Sequence, residues 1–598
     1  MPVEAFLNAF MFREQIGQDG MPSPAGAFQA VATAIQQKKQ NGQGLKERDL
    51  YEPLHRSFCF SVMLSMTCAR LARWDRAGAI VTESFDIITQ PDYLCLFFWC
   101  FARLSDAARG YDSTVEPALE KEADLFERSV QAHLKSQLVD TGLDPKKLKT
   151  YLNIHYKQNC VTVIRAQSAV PGGNNGPLHS HRLLLSRPIC APLFLSGRCS
   201  RTYWAVDVGD GSDVTSTIIR DVWLLKDTWR ISGSSAPGSQ AFDEEELEGT
   251  IMQNLSSRGV RHIPPVADHW DVTVFGDVQS TVTQEYLNAD WVTKGGDYRL
   301  SETQVVRRVH YRLLLKVAGF DFLHVASTDE LLHGSYDAFR GLVDAFEKGN
   351  RLHRDIHPGN IILYQNPLPT GSPSGTRKGY LIDWENSSAI NASASTPPFG
   401  TSMRQDYGPS QLQWQFLSYA LASRRKMTHE IVDDMESILY VVIYCGLLRL
   451  RCKLAEDREG LLTVLQTLFD TSLVIGGEKK GGTGKLVEII TMELSKTIKW
   501  TSTALWQWVV GVYNLRKTAI FLSDWSTSEW NPRSLNRFWT EFFQQHPSLP
   551  RDDHSPNVWP GEVYFSRVAP RLALGMVLEG PARDQTSAFG YKRVGSWD

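Results

Sequence analysis

Leu352-His353-Arg354-Asp355-Ile356-His357-Pro358-Gly359-Asn360-Ile361-Ile362-Leu363 places an aspartate and an asparagine five positions apart, in a short loop that runs into an apolar, strand-like segment. A phosphoryl-transfer site needs that arrangement: the aspartate orients a substrate hydroxyl and accepts its proton, and the asparagine holds a metal bound to nucleotide phosphates. Downstream, Tyr380-Leu381-Ile382-Asp383-Trp384-Glu385 brings a second aspartate to the end of another apolar run. Two such strand ends joined by a short loop point to a nucleotide–magnesium site on a β-hairpin. A pair of surface turns could use Asp and Asn for local hydrogen bonds instead. That alternative explains Asp383 alone better than it explains the combined order of residue types.

Outward from this stretch, composition narrows the class. The chain has 598 residues, with 63 Lys and Arg against 66 Asp and Glu, so its formal charge is −3. This balance leaves no global basic footprint, and nucleic acid is not an expected partner. The longest apolar runs, 93–102 and 438–448, are too short to span a bilayer, and no membrane is expected. The first residues lack a basic region followed by a sustained apolar core, so no secretory signal is read. Nine cysteines lie mostly in apolar segments and none forms Cys-x-x-Cys, which implies free thiols in a reducing compartment, cytoplasm or nucleus.

In chain order, residues 1–50 read as a helix followed by a polar linker at 36–44. Strand-forming residues fill 58–72 and 79–81 around the turn Asp75-Arg76-Ala77-Gly78. Helices are expected over 93–104 and 116–138, a loop over 171–177, and strands over 160–166 and 181–185. Further strands are expected over 192–196 and 202–208, flanking the turn 197–201, and from Val222 to Lys226. An amphipathic helix over 242–255 carries Glu248. A strand lysine and a glutamate on the next helix can form the ion pair that holds nucleotide phosphates. Residues 311–317 form a strand, 328–348 a helix, 367–379 a lengthened hairpin loop, and 431–450 a strongly apolar helix. An aspartate at the start of that last helix, in Asp433-Asp434-Met435-Glu436-Ser437, can cap the 353–360 loop. The run Gly481-Gly482-Thr483-Gly484-Lys485-Leu486 is not a phosphate loop, since Leu486 stands where Ser or Thr is required.

These residues resemble the eukaryotic protein kinases, and more narrowly the fungal-type protein kinases (the FunK1 group). The resemblance rests on Trp223-Leu224-Leu225-Lys226, His353-Arg354-Asp355 with Asn360, Leu381-Ile382-Asp383, and Asp433-Asp434-Met435-Glu436-Ser437, with a similar Asp75-Arg76-x-Gly78 hairpin near the N-terminus. It implies an α+β fold in two lobes, a small β-rich N-lobe and a helical C-lobe, preceded by a separate α+β N-terminal domain. The implied divisions are 1–50, helix and linker; 51–189, N-terminal domain; 190–318, N-lobe; 319–545, C-lobe; and 546–598, a partly ordered tail. Asp355 is implied as catalytic base and Asn360 and Asp383 as magnesium ligands. Lys226, Glu248 and Gly197 would contact or support ATP. His353, Arg354 and Asp434 would hold the catalytic loop, with Arg354 facing an activation segment over 386–410, where phosphate on Ser or Thr could pair with it.

The implied activity is ATP- and magnesium-dependent transfer of phosphate to serine and threonine of a protein substrate. Three positions depart from the pattern. Gly197-Arg198-Cys199-Ser200-Arg201-Thr202 keeps only the first glycine of G-x-G-x-x-G, Asp-Phe-Gly is Asp383-Trp384-Glu385, and His357 stands where a lysine is usual. The alternatives are a small-molecule phosphotransferase similar to aminoglycoside and choline kinases, and a pseudokinase scaffold.

Overall fold

The computed structural model of the chain describes residues 1–11, 57–138, 145–168, 179–190, 192, 195–209, 219–232, 246–292, 305–366, 376–390, 411–425, 428–475, 478–520, 522 and 527–555. The readings for 36–44, 171–177 and 391–410 fall outside these residues. What is described is a mixed assembly of helices and open sheets.

The N-terminal part builds its own small core. Strands β1 (Cys59–Ser65), β2 (Cys68–Trp74), β3 (Ala79–Val81) and β4 (Phe85–Asp86) form one antiparallel sheet. The β-forming run over 58–72 folds as two strands, with Met66 between them in a left-handed conformation at φ 56°. Helices α1 (Val3–Met11) and α2 (Pro91–Arg103) close that sheet, burying Phe6, Leu7, Leu71, Ile80, Leu94 and Phe97 together. Asp75 fastens this unit to the remainder. Its Oδ2 accepts from the backbone N–H groups of Val282 (2.9 Å) and Thr283 (3.0 Å).

A larger sheet carries the site. Its strands are β5 (Val115–Pro117), β6 (Thr162–Ser168), β7 (His179–Leu185), β8 (Pro188–Cys190), β9 (Arg201–Asp207), β10 (Val222–Ile231), β11 (Val266–Asp271) and, after the short pair β12 (Thr273–Val274) and β13 (Asp277–Val278), β14 (Arg308–Leu315). The order is β11-β14-β10-β9-β7-β6-β5, with β8 also on β9. The boundary expected at 189/190 therefore cuts a continuous sheet, since Leu183 and Leu184 of β7 pair with Asp207 and Val206 of β9. The buried residues of the N-terminal cluster run from Val3 to Leu104, with Val282, Tyr286 and Trp291 packed against them, whereas β5, β6, β7 and β8 belong to the sheet that bears Lys226. Alternation along a strand says which face is buried but not which distant strand is its neighbour. The strand expected at 192–196 falls partly outside the described residues, and β8 pairs with β9.

Because successive side chains alternate, β10 serves both faces. Leu224 faces the main core, with α3 (Glu120–Gln137) and α4 (Pro145–His155) contributing Phe126, Val130, Leu134 and Leu152. Leu225 faces the opposite side, with Tyr203, Trp270 and Leu314. On that rear face Asp227 and Asp112 share the buried Arg312 guanidinium at 2.9 and 2.7 Å.

The remaining elements are α5 (Glu248–Ser257), β15 (Phe320–Asp321), α6 (Thr328–Glu347), β16 (Arg351–Leu352), β17 (Ile361–Tyr364), β18 (Lys378–Leu381), β19 (Ser388–Ala389), α7 (Gln411–Phe416), α8 (Tyr419–Ala422) and α9 (Ile431–Arg449), with several further helices to Gln545. Every residue of α9 from Ile431 to Leu448 is buried. A helix buried on all sides belongs inside a helical assembly, and α9 sits there with Asp433, Asp434 and Glu436 buried in its first two turns. Lys485, from the glycine–lysine run, is buried; its Nζ donates to the carbonyls of Gln415 and Leu417 at 2.6 Å each, so it ties helices together. The tail expected from 546 is engaged through residue 555: Asp553 accepts from Thr328 N (2.9 Å), and Ser555 N donates to Arg449 O (2.8 Å). Among the described residues, no helix is long and apolar enough to cross a membrane.

Candidate active site

Lys226 lies mid-strand on β10, paired with Leu313 of β14 and Thr202 of β9. Its ammonium reaches three carboxylates: Glu248 Oε2 (2.7 Å), Asp383 Oδ1 (2.7 Å) and Glu385 Oε2 (2.8 Å). Burial alone would push the lysine pKa down, but the charges of Asp383, Glu248 and Glu385 overcome it and hold it well above its usual value. Burial pushes the Glu248 carboxyl up to about 7, with Lys226 opposing and Asp383 and Glu385 adding to the rise. Asp383 shows the opposite balance. Desolvation is outweighed by the Lys226 charge and hydrogen bond, which hold its carboxyl at about 2.

Helix α5 presents Glu248 from its first turn. The adjacent Gly249 N–H donates to the Tyr311 hydroxyl at 2.9 Å, fixing the helix start against β14. A Cβ at Gly249 would lie 2.2 Å from His269 Cγ on β11, so the helix can come this close only with glycine there. Gly249→Ala is expected to cost about 1–3 kcal/mol of stability and to shift Glu248 away from Lys226. Urea unfolding measures the first effect, and a weakened affinity for MgATP the second.

The 353–360 loop is tied on three sides. Asp434, buried at the start of α9, accepts from the backbone N–H of His353 (3.1 Å) and Arg354 (3.1 Å), and His429 Nε2 lies 2.7 Å from it. His353 donates from Nε2 to the Ile382 carbonyl (3.0 Å) and accepts at Nδ1 from Asp355 N (3.3 Å), which fixes one neutral tautomer. Burial lowers its pKa in keeping with that neutral state. Asn360 Nδ2 donates to the Asp355 carbonyl (2.9 Å), closing the loop on itself. β17 then pairs with β18, Ile361 opposite Leu381, which carries Asp383 to the same end of the hairpin. Arg354 and Asp383 both adopt left-handed conformations, at φ 71° and 65°. Such backbone in non-glycine residues concentrates where side chains must be aimed.

Asp355 has two unlike oxygens. Oδ2 accepts from Asn386 Nδ2 at 3.0 Å. Oδ1 is buried with no hydrogen-bond partner among the described residues, and His357 Nε2 stands 3.7 Å away. His357 Nδ1 accepts from Gly359 N (3.1 Å), so its Nε2 carries the proton toward Asp355. An unpartnered carboxylate oxygen is a ready acceptor for a hydroxyl proton.

The structure thus brings Lys226, Glu248 and Asp383 into direct contact, and Asp355, Asn360, His353 and Asp434 into a second connected set. The Gly197 N–H donates to the Arg76 carbonyl at 2.8 Å. Three contributors were not read from the sequence. Glu385 bonds Lys226, Asn386 orients Asp355, and Arg198 pairs with Glu385 and donates to Asn386 Oδ1 (3.2 Å). Glu385 and Arg198 appear in the sequence as departures from a pattern. Asn386 gives no signal beyond lying three residues after Asp383.

A buried lysine held by three acids, linked through Glu385, Arg198 and Asn386 to an aspartate with one idle oxygen, makes chemical sense for phosphoryl transfer, and the mixed helix-and-sheet architecture is compatible with a kinase-like fold. The chain belongs to the fungal protein kinase family, which it matches over residues 50–445. That span takes in the 59–86 sheet and α2 and begins after α1. Among curated proteins none matches the chain.

Proposed function

We propose that the protein transfers phosphate from ATP, with magnesium, to serine and threonine hydroxyls of protein substrates. The observation that carries this reading is the Lys226 ammonium shared by Glu248 and Asp383, linked through Glu385, Arg198 and Asn386 to an Asp355 carboxylate whose Oδ1 has no partner among the described residues. Oxygens of Glu248, Asp383 and Glu385 lie within 4.8 Å of one another, and an acidic all-oxygen set suits a hard divalent cation. Asp383 and Asn360 would hold magnesium, and Lys226, steadied by Glu248, would hold phosphate oxygens. When bound, the metal offsets the charge on the transferring group. Asp355 orients the substrate hydroxyl and receives its proton at Oδ1, while Asn386 keeps Oδ2 turned away. Asp434 and His353 keep the loop in place during transfer.

The test is direct. Purified full-length protein with MgATP is expected to phosphorylate Ser and Thr, not Tyr, in a mixed peptide library. Saturating MgATP is also expected to stabilise the protein, by about 2.7 kcal/mol at a hundredfold excess over Kd, and Asp383→Asn to abolish that gain. Transfer only to small-molecule hydroxyls would overturn the protein-substrate reading. Absence of MgATP stabilisation in the wild type would overturn the nucleotide reading.

A further inference from the structure

The 195–200 segment is held firmly from both sides. Arg76 Nη1 donates to the Leu195 carbonyl (2.8 Å), and Gly197 N donates back to the Arg76 carbonyl (2.8 Å). The Arg198 carbonyl accepts from Trp229 N (2.8 Å) and Thr228 Oγ1 (3.3 Å) of β10. With the backbone anchored, the Arg198 side chain is the part of this segment that reaches the site. Nη1 pairs with Glu385 Oε1, and Nη2 donates to Asn386 Oδ1 at 3.2 Å. Through Glu385 it is one contact from Lys226, and through Asn386 one contact from Asp355. The side chain is also 34% exposed, so an incoming anion can approach it.

We propose that Arg198 is a phosphate-binding residue that exchanges Glu385 for the nucleotide's phosphates, replacing with a guanidinium the amide contacts a glycine-rich loop would make. The proposal rests on the nucleotide reading above. Three features support it. Gly197, the one glycine retained, has its N–H bonded to Arg76. The guanidinium fork matches phosphate as well as carboxylate, so Glu385 marks a position that a phosphate oxygen can take over. The Nη2 bond to Asn386 needs no phosphate, so Arg198 stays aligned while Nη1 changes partner. The same bond sets the Asn386 amide with its Nδ2 toward Asp355, linking phosphate capture to the orientation of the base.

Calorimetric titration of the full chain with MgATP and, separately, with adenosine tests this. Arg198→Ala is expected to weaken MgATP about 10–100-fold and to leave adenosine affinity unchanged, which also reports that the variant is folded. Arg198→Lys, which keeps the charge but loses the fork, is expected to fall between wild type and Ala, and it carries the test if the Ala variant does not fold. Equal weakening of MgATP and adenosine would assign Arg198 a merely structural place in the loop and overturn the proposal. Unchanged MgATP affinity would also overturn it. If the wild type binds adenosine but not MgATP, or neither, the nucleotide reading falls together with the proposal. Wild-type binding with an indifferent Arg198→Ala removes the proposal alone.

Discussion

Asp355→Asn is expected to slow phosphoryl transfer about 10²–10⁴-fold while leaving MgATP affinity and thermal stability close to wild type. The expectation comes from the unequal surroundings of the two carboxylate oxygens. Asn386 Nδ2 donates to Oδ2 at 3.0 Å, and Arg198 holds the Asn386 amide in that orientation through its Oδ1. An asparagine at 355 must turn its oxygen toward Asn386 to keep this bond, which leaves its NH₂ group where Oδ1 now stands. A donor then faces the substrate hydroxyl in place of an acceptor. The isosteric change disturbs packing little, and Asn360 bonds the backbone carbonyl of residue 355, not its side chain. Single-turnover phosphorylation beside MgATP titration separates the two effects. Retained transfer at wild-type rate would place the base elsewhere, and a parallel loss of MgATP affinity would mean the substitution had disturbed the nucleotide site.

How much of this was legible depends on how far apart the cooperating residues lie. The 353–360 loop could be read because its geometry is local: five residues fix Asp355 against Asn360, and the apolar runs on either side announce the hairpin. Lys226, Glu248, Asp383 and Asp434 were placed from a resemblance that preserves their order, and they lie in the contacts described above. Arg198 and Glu385 lie 187 positions apart, 385 minus 198. Scored against a pattern, each counts as a loss: a glycine loop gone, a flexible glycine replaced. Paired in space, they become one ion pair adjoining Lys226. The sheet shows the same limit. Strands 160–166, 181–185 and 202–208 were each read from β-forming residues, but their membership in one sheet depends on pairings such as Leu183 with Asp207. Nothing in alternation specifies those partners.

The largest stability effect is expected at Asp434. Its carboxyl is fully buried and takes N–H groups from His353 and Arg354 while touching His429 Nε2 at 2.7 Å. Asp434→Ala leaves two backbone donors and an imidazole without their acceptor in the centre of the helical region. Breaking a buried charged network by removing one partner costs about 3–5 kcal/mol, and urea unfolding at pH 7 should register it. The pH dependence supplies an independent check. Desolvation opposes ionisation of Asp434, but His429, His353 and the Arg354 N–H outweigh it and hold the carboxyl below its ordinary value. A depressed acid binds fewer protons folded than unfolded, so its contribution is complete above the unfolded value of about 3.9 and is lost as pH falls through the lower folded value. The stability gap between wild type and Asp434→Ala should therefore be constant from pH 7 to about 5 and narrow on further acidification. A gap that widens in acid would mean that Asp434 is protonated in the folded protein, and its bonds to the 353–360 loop would then not be those of a carboxylate.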